Sequence, residues 1–209
     1  MKPLFEDPKE QALIEKVTLV FIEKGMKAMT MDDIAVELHV SKKTLYKYVK
    51  NRPELIKKCV QLQIHSEKEN RSLIASQGLN AIEEKLKMTE YTAMTIASTH
   101  ESMHSDLEKY FPDSFQLITD FKSNFLLNEA IKNIKKGIDE ELFCPVVNPK
   151  IIAKMFIAKI DLVFDGRTFP KDEFKFNEVL TQISTHHMRG MATQKGLDVL
   201  QQLTNQKFK

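Results

Sequence analysis

A chain of 209 residues, 42% of them hydrophobic and with a formal charge of only +2, can hold one large domain or a small domain joined to a larger one. No apolar run reaches the ~18 residues needed to cross a bilayer, and the opening MKPLFEDPKE lacks the apolar centre of a secretion signal. With Cys59 and Cys144 isolated and without metal-like spacing, the expectation is a cytoplasmic protein with two reduced thiols, no membrane partner, no metal and no cofactor.

Nearly every segment repeats its apolar residues at three and four, so an all-α chain is expected. The first helix follows Pro8, buries Leu13, Val17, Val20 and Phe21, and stops at Gly25. Thr30 and Asp33 have the spacing of a capping box, with Asp in the place of the longer Glu or Gln. The helix they start turns Ile34, Ala35 and Leu38 inward. His39-Val40 is the turn, Ser41 caps a short third helix, and Leu45 and Tyr48 face the interior. Asn51 and Pro53 open a fourth helix that runs toward residue 75.

After Gly78 the predicted helices lengthen. One spans 79–105, with Leu86, Ala93, Ala97, His100 and His104 leading to Leu107 on one face. Another spans 111–141. Its stripe of Phe111, Phe115, Ile118, Phe121 and Phe125 continues on a rotated face as Leu127, Ile131, Ile134 and Ile138. Asn148-Pro149 starts a helix that Gly166 closes. Asp172 is expected to cap the next, and a last short helix follows Thr193. The predicted division is a helix-turn-helix head, 1–55, and a helical body, 56–209.

Charge singles out one stretch. From Ser41 to Lys58 seven basic residues (Lys42, Lys43, Lys47, Lys50, Arg52, Lys57 and Lys58) face one acid, Glu54. A compact helical unit carrying that excess has the footprint of a phosphate-binding surface. The second helix of a helix-turn-helix enters the major groove by its N-terminal end. Lys42, Lys43 and Thr44 hold that position here. Tyr46 and Lys47 flank it, while Lys50 and Arg52 lie where the next helix presents free N–H groups to an anion.

The stretch FIEKGMKAMTMDDIAVELHVSKKTLYKYVKNRPEL resembles the DNA-binding domain of TetR-type transcriptional regulators. The likeness lies in Thr30, Ile34-Ala35, Val40-Ser41, Thr44-Leu45-Tyr46, Tyr48-Val49 and Glu54-Leu55. It departs from the common form at Lys43, where a small residue is frequent, near Val49, where Phe is usual, and at Arg52-Pro53. The resemblance implies a three-helix N-terminal head plus a larger regulatory and dimerisation body. It also implies a homodimeric repressor of double-stranded DNA with a small-molecule effector of unknown identity. The DNA-contact set is then Thr30, Ser41, Lys42, Lys43, Thr44, Tyr46, Lys47, Lys50 and Arg52. Helices near 149–165 and 173–190 would form the dimer interface through Ile152, Met155, Phe156, Val179, Ile183 and His187. Candidate effector contacts in the body are Met94, His100, Met103, His104, Phe115, Phe121 and Phe125, since ligand pockets are mostly apolar with few polar groups.

Two rival readings follow from the residues. His100-Glu101-Ser102-Met103-His104 is a literal HExxH, the pattern of zinc hydrolases. The chemistry needs a third ligand, and the extended form asks for Gly and His where this chain has Leu107 and Tyr110. The other rival is a protein-interaction module whose basic face meets an acidic partner. Neither makes use of the capped turn and the one-sided charge together.

Overall fold

The computed structural model describes residues 3–27, 29–100, 102–170 and 172–206. Its helices are α1 (Pro8–Lys24), α2 (Met31–Glu37), α3 (Lys42–Tyr46), α4 (Arg52–Ala75), α5 (Ala81–Ala97), α6 (Met103–Tyr110), α7 (Pro112–Asp120), α8 (Leu127–Asp139), α9 (Pro149–Phe164), α10 (Phe176–Arg189) and α11 (Gln194–Gln206). A π-helical turn, Phe121–Leu126, joins α7 to α8. Extended pairing among the described residues is confined to one isolated bridge, Phe143 with Ala192. The protein is therefore all-α, an N-terminal helix-turn-helix head followed by a larger helical region.

The chain forms two compact units: Met1–Asn70 with Ser98–Phe121, and Arg71–Ala97 with Lys122–Lys209. The first is built on Ile14, Val17 and Phe21 of α1, Ile34 of α2, Leu45 of α3, and Leu55 and Ile56 of α4, each 1% exposed or less. Met103 and Leu107 of α6 join that core. Cys59 is buried in it, and burial pushes the thiol up to about 12. The second unit is centred on Ile82, Ile134, Phe143, Ala153, Met188 and Leu200. Phe143 lies so close to α8 that a Cβ on Gly137 would sit 2.0 Å from its ring.

Three predicted boundaries differ from the fold. The helix expected over 79–105 is two helices, because α5 ends at Ala97 and α6 starts at Met103. Ser98 and Thr99 are weak helix formers. The His100 N–H leaves the helical pattern to donate to the Ile22 carbonyl at 2.7 Å. The helix expected over 111–141 contains the π turn. Its extra residue advances the following side chains by about 100°, which accounts for the rotated stripe. Asp172 does not cap α10: Lys175 holds the cap position, and the Glu173 and Phe174 N–H groups turn back onto the Pro170 carbonyl.

Candidate DNA-reading site

The start of α2 is fixed by a complete capping box. The Thr30 hydroxyl oxygen accepts from the Asp33 N–H at 3.2 Å, while the Asp33 carboxylate accepts from the Thr30 N–H at 2.8 Å. A further bond from the Thr30 hydroxyl, with that backbone bond, holds Asp33 below the usual carboxylate range. Aspartate thus closes the box despite its shorter side chain. After Leu38 the chain reverses through His39, whose φ of 53° lies in the left-handed region where His is among the more tolerant non-glycine residues. The Val40 N–H bonds to the Ala35 carbonyl at 3.0 Å and sets the turn.

Ser41 caps α3, its Oγ accepting from the Thr44 N–H at 3.1 Å and lying 2.8 Å from the Thr44 hydroxyl. Leu45 is fully buried and Val49 nearly so, which fixes the rotation of this five-residue helix. Lys42, Lys43, Tyr46 and Lys47 are thereby left exposed, and Lys50 is exposed just beyond. Lys42 pairs with Asp32 of α2 at 2.9 Å, and this hydrogen bond raises its pKa. Both partners are solvent-exposed, so the pair is a weak tie that a phosphate can replace. Lys47 Nζ lies 3.3 Å from the Tyr48 hydroxyl and 4.9 Å from that ring's centroid. Asp32 and Tyr48 were not among the expected site residues, though one turn of helix separates Asp32 from the Val36 face and a single peptide joins Tyr48 to Lys47.

Arg52 is placed differently from expectation. Its Nη2 donates to the carbonyls of Met26 and Lys27, and its guanidinium stands 5.3 Å from the Phe111 ring centroid. Desolvation lowers its pKa, and its Nε is buried without a partner. This arginine fastens the α1–α2 loop; it is not extended toward a phosphate. The N–H groups at the start of α4 are also engaged. Asn51 Oδ1 accepts from the Glu54 N–H, and the Glu54 carboxylate accepts from the Lys50 N–H at 2.7 Å. Lys58 is drawn inward as well, to Glu10 at 2.5 Å and the Tyr48 carbonyl at 2.7 Å. The exposed basic surface is therefore Lys42, Lys43, Lys47, Lys50 and Lys57.

The candidate effector residues fall into separate places. In the first unit, His100 lies against Gly25, whose φ of 75° is a left-handed conformation, and its Nδ1 is 3.0 Å from Ser102 Oγ. Ser102 Oγ in turn donates to Asp106 at 2.7 Å. His104 meets Phe115 edge-on at 5.2 Å between centroids, Met103 is buried, and Phe121 is half-buried. In the second unit Met94 is exposed and Phe125 is half-buried. His100 precedes α6 and His104 lies in its first turn, so the two do not share one helical face as a zinc site of this pattern requires. Glu101 lies outside the described residues, and among the described residues no group of three metal-ligating side chains converges.

Among the expected interface residues, Phe156, Val179 and His187 are buried within the chain, while Ile152 and Ile183 are half-buried. Only Met155 is exposed. It belongs to a different stripe of α9, Ile151, Met155 and Leu162, at 57%, 48% and 43% exposure. Both faces of α9 are apolar, so spacing alone did not distinguish the inward stripe from the outward one.

A capped helix-turn-helix with lysines displayed around a buried leucine, followed by an all-helical region, defines a DNA-binding transcriptional regulator. Residues 15–59 match the family model described as bacterial regulatory proteins, tetR family. The uncharacterized HTH-type transcriptional regulator YvaF of Bacillus subtilis (strain 168) is 26% identical over 178 residues, spanning 84% of this chain and 92% of that protein. A transcriptional regulator from Cytophaga hutchinsonii has the same fold, with a TM-score of 0.74 at 18% identity over 90% of this chain and all of that one. A putative transcriptional regulator from Saccharomonospora viridis, solved in complex with choline, matches with a TM-score of 0.72 at 12% identity over 88% of this chain and 98% of that one. Over residues 15–59 the chain resembles the helix-turn-helix of tetR-family regulators, and the relatives it matches are transcriptional regulators rather than enzymes. Among the described residues no helix is long and apolar enough to cross a membrane.

Proposed function

We propose that the protein is a cytoplasmic homodimeric repressor that binds a near-palindromic operator and releases it when a small molecule enters the body. The observation that carries the reading is α3: capped by Ser41, anchored by Leu45, and presenting Lys42, Lys43, Tyr46 and Lys47 outward. Lys42, Lys43 and Thr44 meet base edges, where lysine donates to guanine O6 or N7. Lys47 and Lys50 meet phosphates, and Thr30 and Ser41 position the motif through their caps. Residues 1–55 act as the reading head and 56–209 as the effector and dimerisation body.

The dimer reading rests on the outward stripe Ile151, Met155 and Leu162, whose apolar area calls for a cover. That a neighbour of the same fold was solved in complex with choline supports a small-molecule effector. In a linked equilibrium of this kind, operator DNA weakens effector binding by the same factor as effector weakens DNA binding. Selection of bound sequences from a random duplex pool, with sedimentation of the DNA-free protein, tests the proposal. The expected result is an enriched inverted repeat with half-sites about 34–36 Å apart, or a multiple, and a dimer in solution. No enrichment, or a monomer at micromolar concentration, overturns it.

A further inference from the structure

Within the second compact unit three cations stand close together. Arg71 of α4, Lys85 of α5 and Lys136 of α8 stand near two carboxylates, Glu84 and Glu129. Glu84 is taken by Lys136 at 2.7 Å and by Asn133 at 3.1 Å. Glu129 lies 3.5 Å from Arg71, which also donates to Thr92 at 2.6 Å. The Lys85 ammonium makes neither an ion pair nor a hydrogen bond among the described residues. Its Nζ sits 3.3 Å from the centroid of the Phe156 ring, which is itself stacked 4.8 Å from His187. A cation held only by an aromatic face has kept little of its hydration.

The ammonium group borders a cavity of about 10 Å³, room for about one water molecule. Its walls are apolar (Ala130, Ile134, Phe156 and Met191), with Asn133 and His187 as further polar groups. Burial and the charge of Arg71 lower the Lys85 pKa to about 7, and burial with the charge of Lys85 brings His187 to about 4. The site thus presents one uncompensated cation, the neutral imidazole of His187 and an apolar lining.

We infer that this cavity between α5, α8, α9 and α10 is the head-group subsite for an apolar monocarboxylate, whose carboxylate pairs with Lys85 and accepts from the neutral imidazole of His187. The inference rests on the effector reading above and names the effector's chemical class. A carboxylate is the occupant the charges favour. It supplies the missing negative charge, whereas a neutral alcohol leaves the ammonium unpaired and a cation meets repulsion from Arg71 and Lys85. The space must widen to admit it, and Met191, an unbranched and adaptable side chain, is the wall best suited to give way.

Calorimetric titration of the DNA-free full-length protein with hexanoate and octanoate, alongside 1-hexanol and hexylammonium, tests the inference. Saturable binding by the carboxylates alone is expected, weakened about tenfold or more by Lys85→Met and retained by Lys85→Arg. Affinity should also fall between pH 6 and pH 9 as Lys85 loses its proton. The other groups acting there, Arg71, Glu84, Glu129, Lys136, Lys159, His186 and His187, come from α4, α5, α8, α9 and α10. Equal binding of hexanol, absence of carboxylate binding, or pH-independent affinity overturns the inference without recourse to any variant. Operator binding is measured separately. Carboxylate binding that leaves the DNA complex intact sinks the effector reading and spares the subsite; effector-free operator binding with no carboxylate uptake does the reverse.

Discussion

Replacing Arg52 decides whether this residue is a DNA contact or a fastener of the head. Its guanidinium donates to two loop carbonyls, those of Met26 and Lys27, and stands over Phe111. A hydrogen bond to a charged group contributes about 1.5–3 kcal/mol and an exposed cation–π contact about 0.5–1 kcal/mol, and such terms do not add fully. Arg52→Ala is therefore expected to cost about 2–3 kcal/mol. For a chain of this size that corresponds to a fall of about 4–12 °C in Tm. Arg52→Lys keeps the charge but not the fork that reaches two carbonyls, so it should lose most of the same stability. The assay pairs thermal unfolding with the salt dependence of operator binding. The fastening role predicts lowered Tm in both variants and an unchanged salt slope. An unaltered Tm with a salt slope shallower by about 0.9 per head for Arg52→Ala, restored by Arg52→Lys, would refute it.

Lys47→Ala should weaken binding to every duplex and make the salt slope shallower by about 0.9 for each copy bound, read from binding isotherms at several salt concentrations; an unchanged slope removes Lys47 from the phosphate contacts. Gly137→Ala places a Cβ against the Phe143 ring and should cost about 1–3 kcal/mol, seen as a lowered unfolding temperature. Lys85→Met should stabilise the protein at neutral pH. The folded pKa of about 7 lies below the unfolded value of about 10.4, so the unfolded state binds more protons between them and stability from this group rises with pH across that window. The advantage of the Met variant should accordingly be greatest near pH 7 and below and shrink toward pH 10 in thermal melts. A constant difference across that range would contradict the placement of Lys85.

The head was largely legible because its signals are local. Thr30 and Asp33 are three residues apart, Ser41 and Thr44 likewise, and each pair closes its own cap in the structure. Leu45 was identifiable as the buried anchor because its neighbours are charged or polar. The contacts of residues whose partners are distant in sequence were not legible. Nothing near Arg52 announces that Met26 and Lys27 take its hydrogen bonds, and nothing near Lys58 announces Glu10. The break between α5 and α6 has the same origin, since His100 bonds to a carbonyl of α1. Lys85 escaped notice for the same reason. In the run Glu83-Glu84-Lys85 it reads as one more solvated charge, and only the approach of Phe156 and His187 from other helices makes it unusual.

The inaccessible sulfur of Cys59 gives the head a built-in reporter. Alkylation requires a thiolate, and with the thiol driven to about 12 inside the core of the first unit almost none exists while the fold is closed. Cys144, in the second unit, is only partly covered and should react first. Once Cys144 has been blocked, the labelling rate of the remaining sulfur counts openings of the DNA-reading half directly, with no probe engineered into the chain.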